Sequence, residues 1–83
     1  MIHHFNDGGN QITGSATLNL TSGTLKLGSA GTATTFPAFA TRNITAGTTV
    51  EYASDVAQTV SSSPTYSNLT FSGAGTKTIA AGL

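Results

Sequence analysis

Asn19-Leu20-Thr21 returns as Asn43-Ile44-Thr45 and once more as Asn68-Leu69-Thr70. The two intervals are 24 and 25 residues in a chain of 83. Each copy runs into a small residue and a glycine: Ser22-Gly23, Ala46-Gly47 and, one step later past Phe71, Ser72-Gly73. A second β-rich segment follows each corner, Thr24-Leu25-Lys26-Leu27, Thr49-Val50-Glu51-Tyr52 and Thr76-Lys77-Thr78-Ile79. A near-constant period in the twenties is the mark of a solenoid, whose repeats bury their apolar faces only against one another. The expected fold is therefore all-β, a short parallel right-handed β-helix of about three rungs. Its handedness follows from the general preference of parallel crossovers.

Period-two alternation sets the faces. Leu18 and Leu20, then Leu25 and Leu27 beyond the corner, share one face, with Thr17, Asn19, Thr21, Thr24 and Lys26 on the other. Stacking the copies predicts a polar ladder of Asn19, Asn43 and Asn68, flanked by Thr21, Thr45 and Thr70. It also predicts inward columns of Leu20, Ile44 and Leu69, and of Leu27, Tyr52 and Ile79. Stacked asparagines and hydroxyls satisfy their donors along such a column. The alternative is an antiparallel β-sandwich, whose short strands also recur with turns between them. It gives no reason for Asn-x-Thr to return at equal intervals.

The composition agrees with strands. Thr, Ser and Gly dominate, and all three are poor in helices, whereas Thr suits a pleated surface. The formal charge is zero, with three Lys and Arg against three Asp and Glu, so neither a basic patch for nucleic acid nor an acidic tail is present. Cysteine is absent, which removes disulfides and thiolate metal sites. No apolar run approaches the ~20 residues that span a bilayer as a helix, so no membrane insertion is expected. Met1 to Phe5 lacks the cationic and long apolar regions of a signal peptide. Either the segment comes from a longer precursor or export is not encoded in it. The stretch Ile79 to Leu83 reads as a chain interrupted within a repeat.

Residues 1–15 read as an irregular N-terminal segment or cap around the turn Asn6-Asp7-Gly8-Gly9-Asn10. Ile2, Phe5 and Ile12 would cover the first rung. Residues 16–83 carry the repeats, at about 16–41, 42–64 and 65–83. Thr34 to Phe39 is expected to be an irregular third side, with Pro37 at a bulge or an unpaired edge. Val56 to Val60 is the third side of the next repeat, and Pro64 biases Ser63 to extended geometry. Lys77 shares parity with Ile79, which requires a bulge or a lysine stem lying along the inward face.

The segments Thr49-Val50-Glu51-Tyr52, Ala57-Gln58-Thr59-Val60 and Tyr66 through Ile79 carry a family likeness. They resemble the repeat of very large secreted bacterial β-strand-repeat proteins, roughly Val-Glu-Tyr, Gln-Thr-Val and Tyr-x-Asn-Leu-x-Leu-x-Gly-x-Gly-Thr-Lys-Thr. The resemblance covers residues 43–83 well and 16–28 loosely, while 1–15 and 32–41 depart from it. That family is similar to adhesin and autotransporter-like β-helices. The resemblance implies an extracellular or cell-surface location, a stalk or display role, and no catalytic residues to carry over.

Candidate chemistry is sparse. Adjacent strand residues His3 and His4 point to opposite faces, and with Asp7 they fall short of the three or four convergent ligands a metal wants. Asn19, Asn43 and Asn68 each fit the N-glycosylation pattern, but their periodicity is explained by the repeat. Glu51, Asp7 and Asp55 are the only carboxylates, too few for the acid sets of glycoside hydrolysis in this context. The expectation is a non-enzyme without cofactors, whose partners are other copies meeting at open solenoid ends, and surface glycan as a second possibility. Two other function classes stand beside the stalk: a self-assembling extracellular filament subunit, and a glycan- or ice-binding module using the outer Thr and Asn faces.

Overall fold

The computed structural model describes residues 2–13, 17–39, 41–62 and 64–80, and the side chains of these from Asn6 onward. The boundary read near residues 15 and 16, the conformation of Ser63 and the ending at residues 81–83 lie outside the described residues. Seven strands are formed: β1 (Ile2–Asn6), β2 (Thr17–Leu27), β3 (Thr41–Ile44), β4 (Thr49–Tyr52), β5 (Gln58–Val60), β6 (Asn68–Phe71) and β7 (Lys77–Ile79). No helix occurs among the described residues.

Every pair of these strands is parallel. One curled sheet has the order β1-β2-β4-β6, with β3 also paired to β2, and a second sheet consists of β5 and β7. An antiparallel sandwich is thereby ruled out. The isolated antiparallel bridge Ser29↔Thr32 is a local turn.

β2 serves two walls. Its first half, Thr17 to Leu20, pairs with β3, and its second half, Thr24 to Leu27, pairs with β4. Gly23 (φ 79°) turns the strand between the halves. There the inward parity changes from Leu18 and Leu20 to Leu25 and Leu27. Gly47 (φ 90°) makes the matching corner between β3 and β4. Thr45 N–H bonds the Leu20 carbonyl at 3.0 Å, and Thr48 closes the turn onto the Thr45 carbonyl through its amide and its hydroxyl.

The third copy of the tripeptide lies elsewhere than expected. Asn68, Leu69, Thr70 and Phe71 pair with Thr49, Val50, Glu51 and Tyr52, not with β3. Asn68 is therefore opposite Thr49 and outside the Asn19–Asn43 ladder, and Leu69 continues the column of Leu25 and Val50. No counterpart of β3 forms between β4 and β6 among the described residues. The chain crosses the corner there, and the Ser67 hydroxyl accepts a hydrogen bond from the Gly47 amide. The two frames differ by an even number of residues, so alternation alone places Leu69 inward in both. The spacing of paired strands differs accordingly: partners are 20 residues apart over His4–Asn6 in β1 and β2, 24 or 25 apart from β2 to β3 and β4, and 19 apart from β4 to β6 and from β5 to β7.

Ile79 also leaves its expected column. It pairs with Val60 in the second sheet and is 53% exposed, while Phe71 takes the place above Tyr52 and Leu27. Lys77 needs no bulge. It registers with Gln58 and sends its ammonium to the Ser54 carbonyl at 2.6 Å.

The core is the cluster Leu18, Leu20, Leu25, Leu27, Phe36, Val50, Tyr52 and Val60, with Ile12, Phe39, Ile44, Tyr66 and Leu69 packed against it. Pro37 lies buried in a segment without strand pairing, where its missing N–H is not needed.

Candidate functional site

Four of the six ladder residues share one outward face. Asn19 and Thr21 are exposed on β2 beside Thr17, and Asn43 and Thr45 lie beyond them with Thr41. The Asn43 side-chain amide donates to Asn19 Oδ1 at 2.9 Å. Asn68 and Thr70 are exposed too, but on the adjoining wall over Thr49 and Glu51. Of the column residues, Leu20, Leu27 and Tyr52 are fully buried, and Ile44 and Leu69 are half-buried against the core.

A polar inner column escaped the sequence reading. Thr34, Gln58 and Lys77 each bond to a segment earlier in the chain. The Thr34 hydroxyl donates to Asp7 Oδ2. Gln58, only 3% exposed, donates through Nε2 to the carbonyls of Leu27 (3.1 Å) and Thr34 (2.8 Å) and accepts the Ser54 amide at Oε1. Lys77 bonds the Ser54 carbonyl as described above. Asp7, read from sequence as an ordinary turn residue, is 6% exposed and accepts the amides of Gly9 and Gly28, both at 2.9 Å. These groups tie each corner to its neighbour and leave no buried side-chain polar atom unpaired among the described residues. The signal available in sequence was only that polar residues occupy inward parity, as Gln58 and Lys77 do.

The glycines of these corners have steric duties. A Cβ on Gly73 (φ 77°) would lie 2.5 Å from the Ser54 carbonyl oxygen, and one on Gly75 2.1 Å from that of Val56. Backbone thus passes directly over backbone at the corner.

Opposite this corner, Tyr52 and Tyr66 meet edge to face, with hydroxyls 2.6 Å apart. The Tyr66 hydroxyl donates to the Ser61 carbonyl, so Tyr52 donates to Tyr66, and the Ser61 amide donates back to the Tyr52 oxygen. Burial, followed by the hydrogen bond to Tyr52, raises the Tyr66 pKa well above the tyrosine range. Phe36 packs edge-on against Tyr66 at 5.9 Å.

The remaining carboxylates are engaged in turns. The Ser72 hydroxyl donates to Glu51 Oε2, and the Ala74 amide to Asp55 Oδ1 at 3.2 Å. No cluster of three or more His, Cys, Asp or Glu suited to a metal is found among the described residues. A groove of about 300 Å³ is lined by Gln11, Ile12, Thr13, Thr35 and Ala38. The Gln11 side chain is already clamped there, to the Thr35 carbonyl (3.1 Å) and amide (2.9 Å).

The outer face of β2 and β3 carries exposed hydroxyls and amides at matching register positions. No known protein family, curated protein or solved structure matches the chain.

Proposed function

We propose that this chain is a length of β-solenoid with a structural, non-catalytic role, a stalk-like segment of a bacterial surface protein outside the cell. The observation that carries the reading is the parallel column Leu25–Val50–Leu69, along which β2, β4 and β6 stack in register. Side-chain ties between successive corners add a second, vertical set of bonds, which suits an element that bears load along its axis. The resemblance of residues 43–83 to secreted β-strand-repeat proteins supplies the location. The test uses an antibody against residues 41–80, applied to intact cells of the natural host before and after permeabilisation. Equal signal in both supports the reading, and signal only after permeabilisation sinks it.

The exposed rows Thr17, Asn19, Thr21 and Thr41, Asn43, Thr45 favour a second reading, a glycan- or ice-binding face. Retention on immobilised polysaccharides, or thermal hysteresis abolished by Thr45→Leu, is then expected. Absence of both removes it.

A further inference from the structure

We infer that the two ends of the curled sheet are complementary, and that β6 takes β1 of a second copy of this chain, head to tail. The inference rests on the solenoid reading and adds a partner to it.

The bonding pattern at the β6 edge comes first. The Asn68 amide bonds the Thr48 carbonyl, and the Ser72 amide bonds that of Tyr52. In a parallel ladder, alternate residues serve opposite neighbours. The amides and carbonyls of Leu69 and Phe71 therefore point away from β4. At the other end, the Asp7 amide bonds the Lys26 carbonyl. By the same alternation, the amides and carbonyls of His4 and Asn6 point away from β2.

Within the molecule, Phe5, Leu25, Val50 and Leu69 occupy one register column, and Asn6, Lys26, Glu51 and Thr70 the next. Extending these columns by one strand places Phe5 of the second copy level with Leu69, and its Asn6 level with Thr70. In that register the free groups of His4 and Asn6 interleave with those of Leu69 and Phe71, as each strand pair below them does. A slip by one residue loses both matches.

The β6 edge also lacks the usual deterrents to pairing. It carries no charge and no proline, and Phe71 is 44% exposed beside half-buried Leu69. On the neighbouring β7 edge the single lysine, Lys77, is drawn down to the Ser54 carbonyl, leaving Ile79 exposed. Parallel ends joined in this way do not close, so the product is a linear series rather than a two-fold dimer.

The experiment is sedimentation of the full chain, with two edge variants. Phe71→Pro removes an upward-pointing N–H and His4→Pro a downward-pointing one, and neither takes a bond from the existing ladders. Expected are a wild-type mean mass that rises above 8.3 kDa without plateau as concentration is raised over about two decades, near-monomeric behaviour of each variant alone, and a one-to-one dimer when the two are mixed. Thr70→Lys replaces Phe71→Pro if the latter loses its β-sheet circular dichroism. A monomer at every concentration, a closed wild-type dimer, or mixing that yields no dimer overturns the inference. None of these bears on the stalk reading, which concerns circuits of one chain and is tested on cells.

Discussion

Gln58 shows how much one side chain supports at the residue scale. Leucine in its place would leave the Thr34 carbonyl and the Ser54 amide without partners in a buried corner, while the Leu27 carbonyl keeps the Ala53 amide. At about 1–3 kcal/mol for each orphaned group, Gln58→Leu should lower stability by roughly 2 kcal/mol or more, read from chemical denaturation. Glutamine's apolar stem is similar in bulk, so a neutral result would mean that the corner bonds contribute little. The glycines separate two effects in the same assay. Gly47→Ala meets no atom within 4 Å and bears only its positive φ, a cost of about 1–2 kcal/mol. Gly73→Ala adds a collision with the Ser54 carbonyl, and Gly75→Ala collides with Val56 without any positive φ. Both should be more damaging than Gly47→Ala, and an equal ranking would show that the corners are not tightly stacked.

At the scale of the elements, the Tyr52–Tyr66 pair joins β4 to the segment that leads into β6. Because burial and the Tyr52 bond hold Tyr66 neutral in the folded state, the unfolded chain releases that proton at lower pH. Stability is thus fully present below the ordinary tyrosine pKa of about 10 and falls as pH rises above it. Tyr66→Phe should flatten this alkaline decline in a series of melting curves, at the cost of a lower midpoint at neutral pH. An unchanged slope would show that another group governs it. The same element explains what was legible in sequence. Strand content, the inward leucines and the Asn19–Asn43 pairing follow from alternation and the first interval. The position of Asn68 does not, because Leu69 keeps its parity in either frame and Asn68 follows Tyr52 by the same 16 residues as Asn43 follows Leu27, so neither alternation nor length separates the two frames. Ile79 was misplaced for the same reason. Asp7, Thr34 and Tyr66 left no pattern and Gln58 only its inward parity, since a buried polar residue is recognised by the partners that surround it.

For the whole molecule, protection should be graded along the stack. Amides of β4, bonded to β2 on one side and β6 on the other, should exchange with solvent most slowly. At the β6 edge the exchange should alternate, with Asn68, Thr70 and Ser72 slow and Leu69 and Phe71 fast in dilute solution. Uniform exchange along Asn68–Ser72 would refute the parallel edge described above. Paired strands 25 residues apart and paired strands 19 apart advance the stack by the same spacing, about 4.8 Å. Under the solenoid reading proposed above, the pitch is then fixed and the girth adjustable, and reach is counted in crossings of a wall, not in amino acids. Residues gained or lost in the stretches between walls would thicken or thin such a thread while leaving its height unchanged.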